Sequence, residues 1–179
     1  MSIFIIREAH PNDGPGMAKV HVDTWRAAYR GILPDDFLDG LSYQATAEGW
    51  KKAFIEMNTP DEAVFVAENA EKVIVGIASC GPEHSQDPIY KGEIHLLYVL
   101  PEHQHQGIGR GLVAACAHHL IHQLGAETLL VWVMTENPYR RFYEALGGRP
   151  VREKSVEVGG KVITDVGYGW KEIHSLLGL

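Results

Sequence analysis

The sequence predicts an α/β chain in the α+β arrangement, folded as one domain over residues 1–179. Three observations predict it. Short β-rich runs recur between clusters of Gly, Pro, Asn and Asp. Two longer segments place their apolar residues at helical rather than alternating spacing. The apolar fraction, 45% of 179 residues, suits an ordinary globular chain that buries about two-thirds of its unfolded surface around one core.

Each element has its own signal. Ile3 to Arg7 reads as a first strand, followed by a loop carrying Pro11, Gly14, Pro15 and Gly16. Ala18 to Tyr29 has apolar residues at Val22, Trp25 and Tyr29, a helical spacing that ends near Gly31, and Pro34-Asp35-Asp36 opens a second helical stretch. Ala63–Ala67 and Val73–Ala78 flank the polar loop Glu68–Lys72 as a hairpin. Glu93 to Leu100 is a fourth strand. From Gly107 onward Leu112, Cys116, Leu120 and Leu124 recur every four residues, widened by Val113, Ala117 and Ile121, until Gly125 stops the helix. Thr128 to Val133 is nearly continuous apolar sequence, as in a strand covered on both faces. Pro138 suits the first turn of a short helix ending at Gly147-Gly148. Ser155–Val158 and Val162–Thr164 close on Gly159-Gly160-Lys161 as a last hairpin.

The junction after the fourth strand is the most informative stretch: Gln104-His105-Gln106-Gly107-Ile108-Gly109-Arg110-Gly111. Glycines at alternate positions let backbone N–H groups turn toward an anion, and the following helix adds the positive end of its dipole. That is the chemistry of a pyrophosphate cradle. A P-loop requires a Lys-Ser/Thr pair that Arg110-Gly111-Leu112 lacks, and the glycine order differs from the dinucleotide-binding Gly-x-Gly-x-x-Gly.

Gln104, Gly107 and Gly109 match the Gln/Arg-x-x-Gly-x-Gly/Ala element of the GCN5-related N-acetyltransferases (GNAT), and the chain resembles that superfamily. Gly92 to Val99 resembles its fourth strand, Arg141 to Gly148 its second acyl-CoA-binding helix, and Thr24 to Pro34 the opening helix of a bacterial branch. The resemblance implies the GNAT fold: a mixed, mostly antiparallel seven-stranded sheet splayed between strands 4 and 5, flanked by about four helices. It further implies an acetyl-CoA-dependent N-acetyltransferase working by direct attack in a ternary complex, with a non-catalytic acyl-CoA-binding module as the alternative.

Site roles follow residue by residue from that resemblance. The turn from Gln104 through His105, Gln106, Gly107, Gly109, Arg110 and Gly111 would hold the coenzyme pyrophosphate. The backbone of Leu97, Tyr98 and Val99 would receive the pantetheine arm and the acetyl carbonyl. Glu93, eleven residues before Gln104, is the base candidate, with His95 two residues on as substitute or relay. Glu93 also suits a merely solvated strand end, and His95 a structural place in the strand. Tyr143 occupies the place from which a tyrosine protonates the departing thiolate, or else packs its helix on the sheet. The family frame Asn-x-x-Ala-x-x-x-Tyr is not kept, because Asn137 lies only six residues before Tyr143; its cofactor contact is an open expectation. Trp25 and Tyr29 suit either an amine pocket or core packing.

Composition bounds the partners. A net charge of −7 without a Lys/Arg run excludes a nucleic-acid binder and favours a neutral or cationic acceptor, a small molecule or a protein amine. No stretch is long enough to span a bilayer, the apolar start lacks a basic leader region, and two Cys without ligand spacing suit a reducing cytoplasm. No metal is expected: His118 and His122 lie one helical turn apart but mainly off the apolar face, with no third ligand at suitable spacing. A homodimer is compatible with the resemblance.

Overall fold

The computed structural model describes residues 3–57 and 59–179. Seven strands form one sheet in the order β1-β2-β3-β4-β5-β7-β6, with β1 at Phe4–Glu8, β2 at Ala63–Asn69, β3 at Ile74–Pro82, β4 at Gly92–Val99, β5 at Leu129–Met134, β6 at Arg149–Val158 and β7 at Lys161–Trp170. Every neighbouring pair is antiparallel except β4 and β5. The helices are α1 (Gly14–Tyr29), α2 (Asp35–Asp39), α3 (Tyr43–Glu56), α4 (Ile108–His119) and α5 (Arg141–Ala145), one more than the sequence reading.

Helix α1 starts earlier than the apolar spacing indicates. His10 and Asp13 form a capping box around a 3₁₀ turn, and Pro15 sits at a helix start where its missing N–H costs nothing. Arg7 ties this corner to the sheet by bonding Asp13 and Glu68, each at 2.8 Å. The additional helix α3 is capped by Ser42, whose Oγ accepts from the Ala45 amide at 3.2 Å, and it buries none of its side chains completely. Helix α4 runs into a single π turn, Leu120–Leu124, which ends at Gly125 in the left-handed region. Gly111 lets α4 approach β1, since a Cβ there would stand 2.5 Å from Ile6 Cδ1.

The last hairpin is longer than its apolar residues indicate. Arg149 to Lys154 is exposed yet paired to β7 by main-chain bonds, so it lacks the alternation that marks a half-buried strand. The main core unites α4 with β2–β5 and the inner residues of β7, and a smaller cluster around Tyr29, Leu38, Met134 and Ile163 lies under α1 and α2. Among the described residues no helix is long and apolar enough to cross a membrane.

Candidate active site

The site begins where the sheet opens. Strands β4 and β5 pair over three residues only, Gly92 with Leu129, Glu93 with Leu130 and Ile94 with Val131. At the same level the β3–β4 register slips, Cys80 opposing Ile94 and Ser79 opposing Leu96, so His95 is an extra residue in β4. A bulge of this kind bends and twists its strand. Beyond it the edges of β4 and β5 diverge without ladder bonds, and a cavity of about 860 Å³ fills the gap.

Side chains alternate across the sheet, so the cavity is lined from both faces. Trp132 and Met134 of β5 face α1, while Val131 and Val133 face α4 and α5. The α4 side carries Gln104, His105, Gly107, Gly109 and Arg110, together with Phe142 and Tyr143 of α5. The first helical bond of α4 runs from the Gly111 amide to the Gly107 carbonyl, 3.0 Å, leaving the N–H groups of Gly107 through Arg110 without an acceptor within the helix. Gly107 holds φ +88°, where a side chain is strained, and His105 is also left-handed at φ +58°. A Cβ on Gly109 would come 3.2 Å from Phe142.

Two residues of the glycine-rich turn are placed elsewhere. Gln106 donates from Nε2 to the Glu102 carbonyl at 3.3 Å and lies outside the cavity lining. Gly111 is likewise outside it and serves the α4–β1 approach. Gln104 turns inward and donates to the Val99 carbonyl at 3.1 Å, bracing the turn on the strand end. Leu97, Tyr98 and Val99 all line the cavity from β4, the Tyr98 ring on the α1 side at 5.1 Å from the His21 ring.

On the opposite face Glu93 and His95 lie side by side, His95 Nδ1 3.6 Å from Glu93 Oε1. Glu93 is 9% exposed, and its Oε2 accepts from the His84 amide at 3.2 Å, so the carboxylate is held by the β3–β4 loop. His84 stacks on His95 with ring centres 4.3 Å apart and planes 8° from parallel. These three residues each bring a ligand atom within 4.8 Å of the others. Stacked imidazoles, however, point their nitrogen lone pairs along parallel planes, so one ion cannot lie in both planes without a ring turning. The rings of His118 and His122 are 4.2 Å apart on α4 and its π turn.

Tyr143 is buried against the rings of Phe142, Tyr168 and Trp170, at 5.4, 5.8 and 6.5 Å. Its hydroxyl makes no hydrogen bond among the described residues, and burial, with Tyr29 and Tyr98 nearby, lifts its pKa above the ordinary phenol range. The phenol therefore keeps its proton. Asn137 has both ends of its amide occupied: Nδ2 donates to the Tyr29 hydroxyl at 3.1 Å and Oδ1 accepts from the Tyr139 amide at 2.8 Å. It fastens α1 to the α5 turn while lining the cavity. Tyr29 and Trp25 belong at once to the smaller core cluster and to the cavity wall, packed edge to face at 5.1 Å.

Three charged residues of the lining were not among the sequence-derived site residues, Arg141, Lys154 and Asp165. Arg141 opens the α5 frame and was legible as a cation one residue before Phe142-Tyr143. Asp165 lies outside every motif, and only strand pairing brings it to the wall.

The sheet opens beside its one parallel pair, with the N-terminus of α4 on one side of the gap and the Glu93 carboxylate on the other, an arrangement that suits an anionic ligand at the helix end. The sequence model of the acetyltransferase (GNAT) family matches residues 22–147. An uncharacterized N-acetyltransferase, YuaI of Bacillus subtilis, is 38% identical over 171 residues, covering 96% of this chain and 95% of that protein. Among solved structures, the PaiA N-acetyltransferase of Thermoplasma acidophilum in complex with coenzyme A aligns with a TM-score of 0.66 at 19% identity, over 91% of this chain and 98% of that one. Salmonella typhimurium yncA, a putative acetyltransferase with acetyl-CoA, aligns at 0.68 and 19%, over 95% and 94%. The chain belongs to the GNAT family.

Proposed function

We propose that this chain transfers an acetyl group from acetyl-CoA to a primary amine by direct attack within a ternary complex. The observation that carries the reading is the single cavity that joins the α4 amides to the Glu93 carboxylate through the opened sheet.

The amides of Gly107 to Arg110 hold the pyrophosphate, assisted by the Arg110 and Arg141 side chains. The edge of β4 at Leu97 to Val99 receives the pantetheine arm, with the Leu97 amide polarising the acetyl carbonyl as its oxygen takes on negative charge. Glu93 accepts a proton from the acceptor ammonium, directly or through a water, with His95 beside it. The neutral nitrogen attacks the carbonyl carbon, the carbon–sulfur bond breaks as Tyr143 gives its proton to the sulfur, and the second proton leaving the nitrogen passes through water to restore the phenol, while Glu93 releases the first to solvent. The buried Cys80 and Cys116 take no part, and these two free thiols support a cytoplasmic setting.

A continuous assay for released coenzyme A thiol, run with a panel of primary amines, tests the reading. Amine-dependent thiol release is the expected result. Acetyl-CoA binding without release on any amine would replace it by the non-catalytic acyl-CoA-binding alternative, and NAD or ATP binding in place of acetyl-CoA would refute the cradle.

A further inference from the structure

The acetyl-transfer scheme leaves Asp165 unused. It sits on β7 opposite Met134 of β5 and Lys154 of β6, on the wall that also carries Trp25, Tyr29, Trp132 and Ile163. Among the described residues no hydrogen bond or ion pair engages its carboxylate. Its cross-strand neighbour Lys154 lays its ammonium over the Trp132 ring instead, 4.0 Å from the ring centre. Burial raises the Asp165 pKa above the usual carboxylate value, with Lys154 opposing that shift. A carboxylate half withdrawn from water without a counter-ion is unfavourable, and a cation brought to it relieves that cost while aromatic faces line the approach.

Position along the sheet says which cation. Glu93 stands level with Leu130 of β5 and Asp165 with Met134, four residues further on, a separation of about 13 Å along the strand. The reacting nitrogen gives its proton to Glu93, and Asp165 stands too far along the sheet for one nitrogen to meet both carboxylates. A cation resting on Asp165 is therefore a different group of the same molecule. The walls between the two carboxylates, Trp25, Trp132 and Met134 among them, are largely apolar.

Resting on the amine-acetyltransferase reading, we propose that Asp165 anchors a second, non-reacting cation of the acceptor. The substrate is thus a primary amine carrying one further positive charge across an apolar spacer, an aliphatic diamine in its simplest form.

The test compares putrescine, cadaverine and hexamethylenediamine with butylamine, pentylamine and hexylamine in the thiol-release assay, using wild type and Asp165→Asn. In wild type the best diamine should exceed its matched monoamine in kcat/KM by roughly 10- to 100-fold, the worth of one charged hydrogen bond. In Asp165→Asn that ratio should fall close to one. Equal kcat/KM for the matched pair in wild type overturns the inference, as does a ratio that survives the substitution. Failure of every amine to release thiol would instead count against the transferase reading. Calorimetry on enzyme saturated with coenzyme A then decides the cation site: the best of the three diamines should bind at least tenfold tighter than its matched monoamine in wild type only, and the lack of that margin overturns the proposal.

Discussion

Replacing Tyr143 by Phe removes one hydroxyl and keeps the ring. The three aromatic neighbours at 5.4 to 6.5 Å stay in contact, and no protein group loses a hydrogen-bond partner. The folding cost is accordingly below about 0.5 kcal/mol, which for a chain of this size shifts the melting temperature by no more than about 2 °C. Turnover behaves differently. A proton delivered to a leaving group contributes about 10²–10⁴-fold, or roughly 3–5 kcal/mol of barrier. The thiol-release assay at saturating acetyl-CoA and amine, beside a thermal melt, reads both quantities. The pH dependence adds a check on sign. Because burial raises the Tyr143 pKa, the acid form persists beyond the ordinary phenol value of 10.0, so wild type should show no alkaline loss attributable to Tyr143 below that pH. Unchanged turnover in Tyr143→Phe with a clearly lower melting temperature would refute the reasoning and make the hydroxyl structural.

Four further substitutions separate roles that lie close together. Glu93→Gln should lower kcat by about 10²–10⁴-fold with acetyl-CoA affinity retained in calorimetry; wild-type kcat there, with loss in His95→Gln, would move the base to His95. Gly107→Val puts a β-branched residue at φ +88°, costing at least about 1–2 kcal/mol in the cradle geometry, and acetyl-CoA affinity should fall tenfold or more; undiminished affinity in the folded variant would remove Gly107 from the cradle. Gly111→Val drives a side chain into Ile6, so the melting temperature should drop by the equivalent of about 1–3 kcal/mol while the folded fraction binds acetyl-CoA normally. Weak binding without destabilisation would return Gly111 to the coenzyme site.

The strands, the α4 stripe and the glycine-rich turn were legible because each is written in local spacing. Helix α3 was missed although Ser42 supplies a cap and Trp50, Phe54 and Met57 fall at helical intervals; Gly49 and the absence of a fully buried face weaken the pattern. The exposed half of β6 was missed because main-chain pairing to β7, rather than burial, defines it. The π turn after His119 inserts its irregularity without disturbing the four-residue recurrence that marked the helix. At the site, Asn137 was readable as a departure from the family frame, but its bond to Tyr29 joins residues 108 positions apart. The bulge at His95 and the arrival of Asp165 beside Met134 depend on the pairing register of distant strands, which no local window contains.

The three-residue seam between β4 and β5 makes the sheet one object in topology and nearly two in mechanics. Around the opening, the halves are stitched by polar links at the perimeter: Asn137 to Tyr29 at 3.1 Å, Arg152 to Asp87 at 2.6 Å, and Lys161 to the Ile32 carbonyl at 2.6 Å. Water can substitute for each of these links, whereas the apolar core behind the seam is close-packed. The slit is thus closed at its base by packing and at its mouth by polar links alone. Past the seam each strand leaves a main-chain edge facing the gap, so the slit offers hydrogen-bonding backbone on both sides where the paired interior of the sheet offers none.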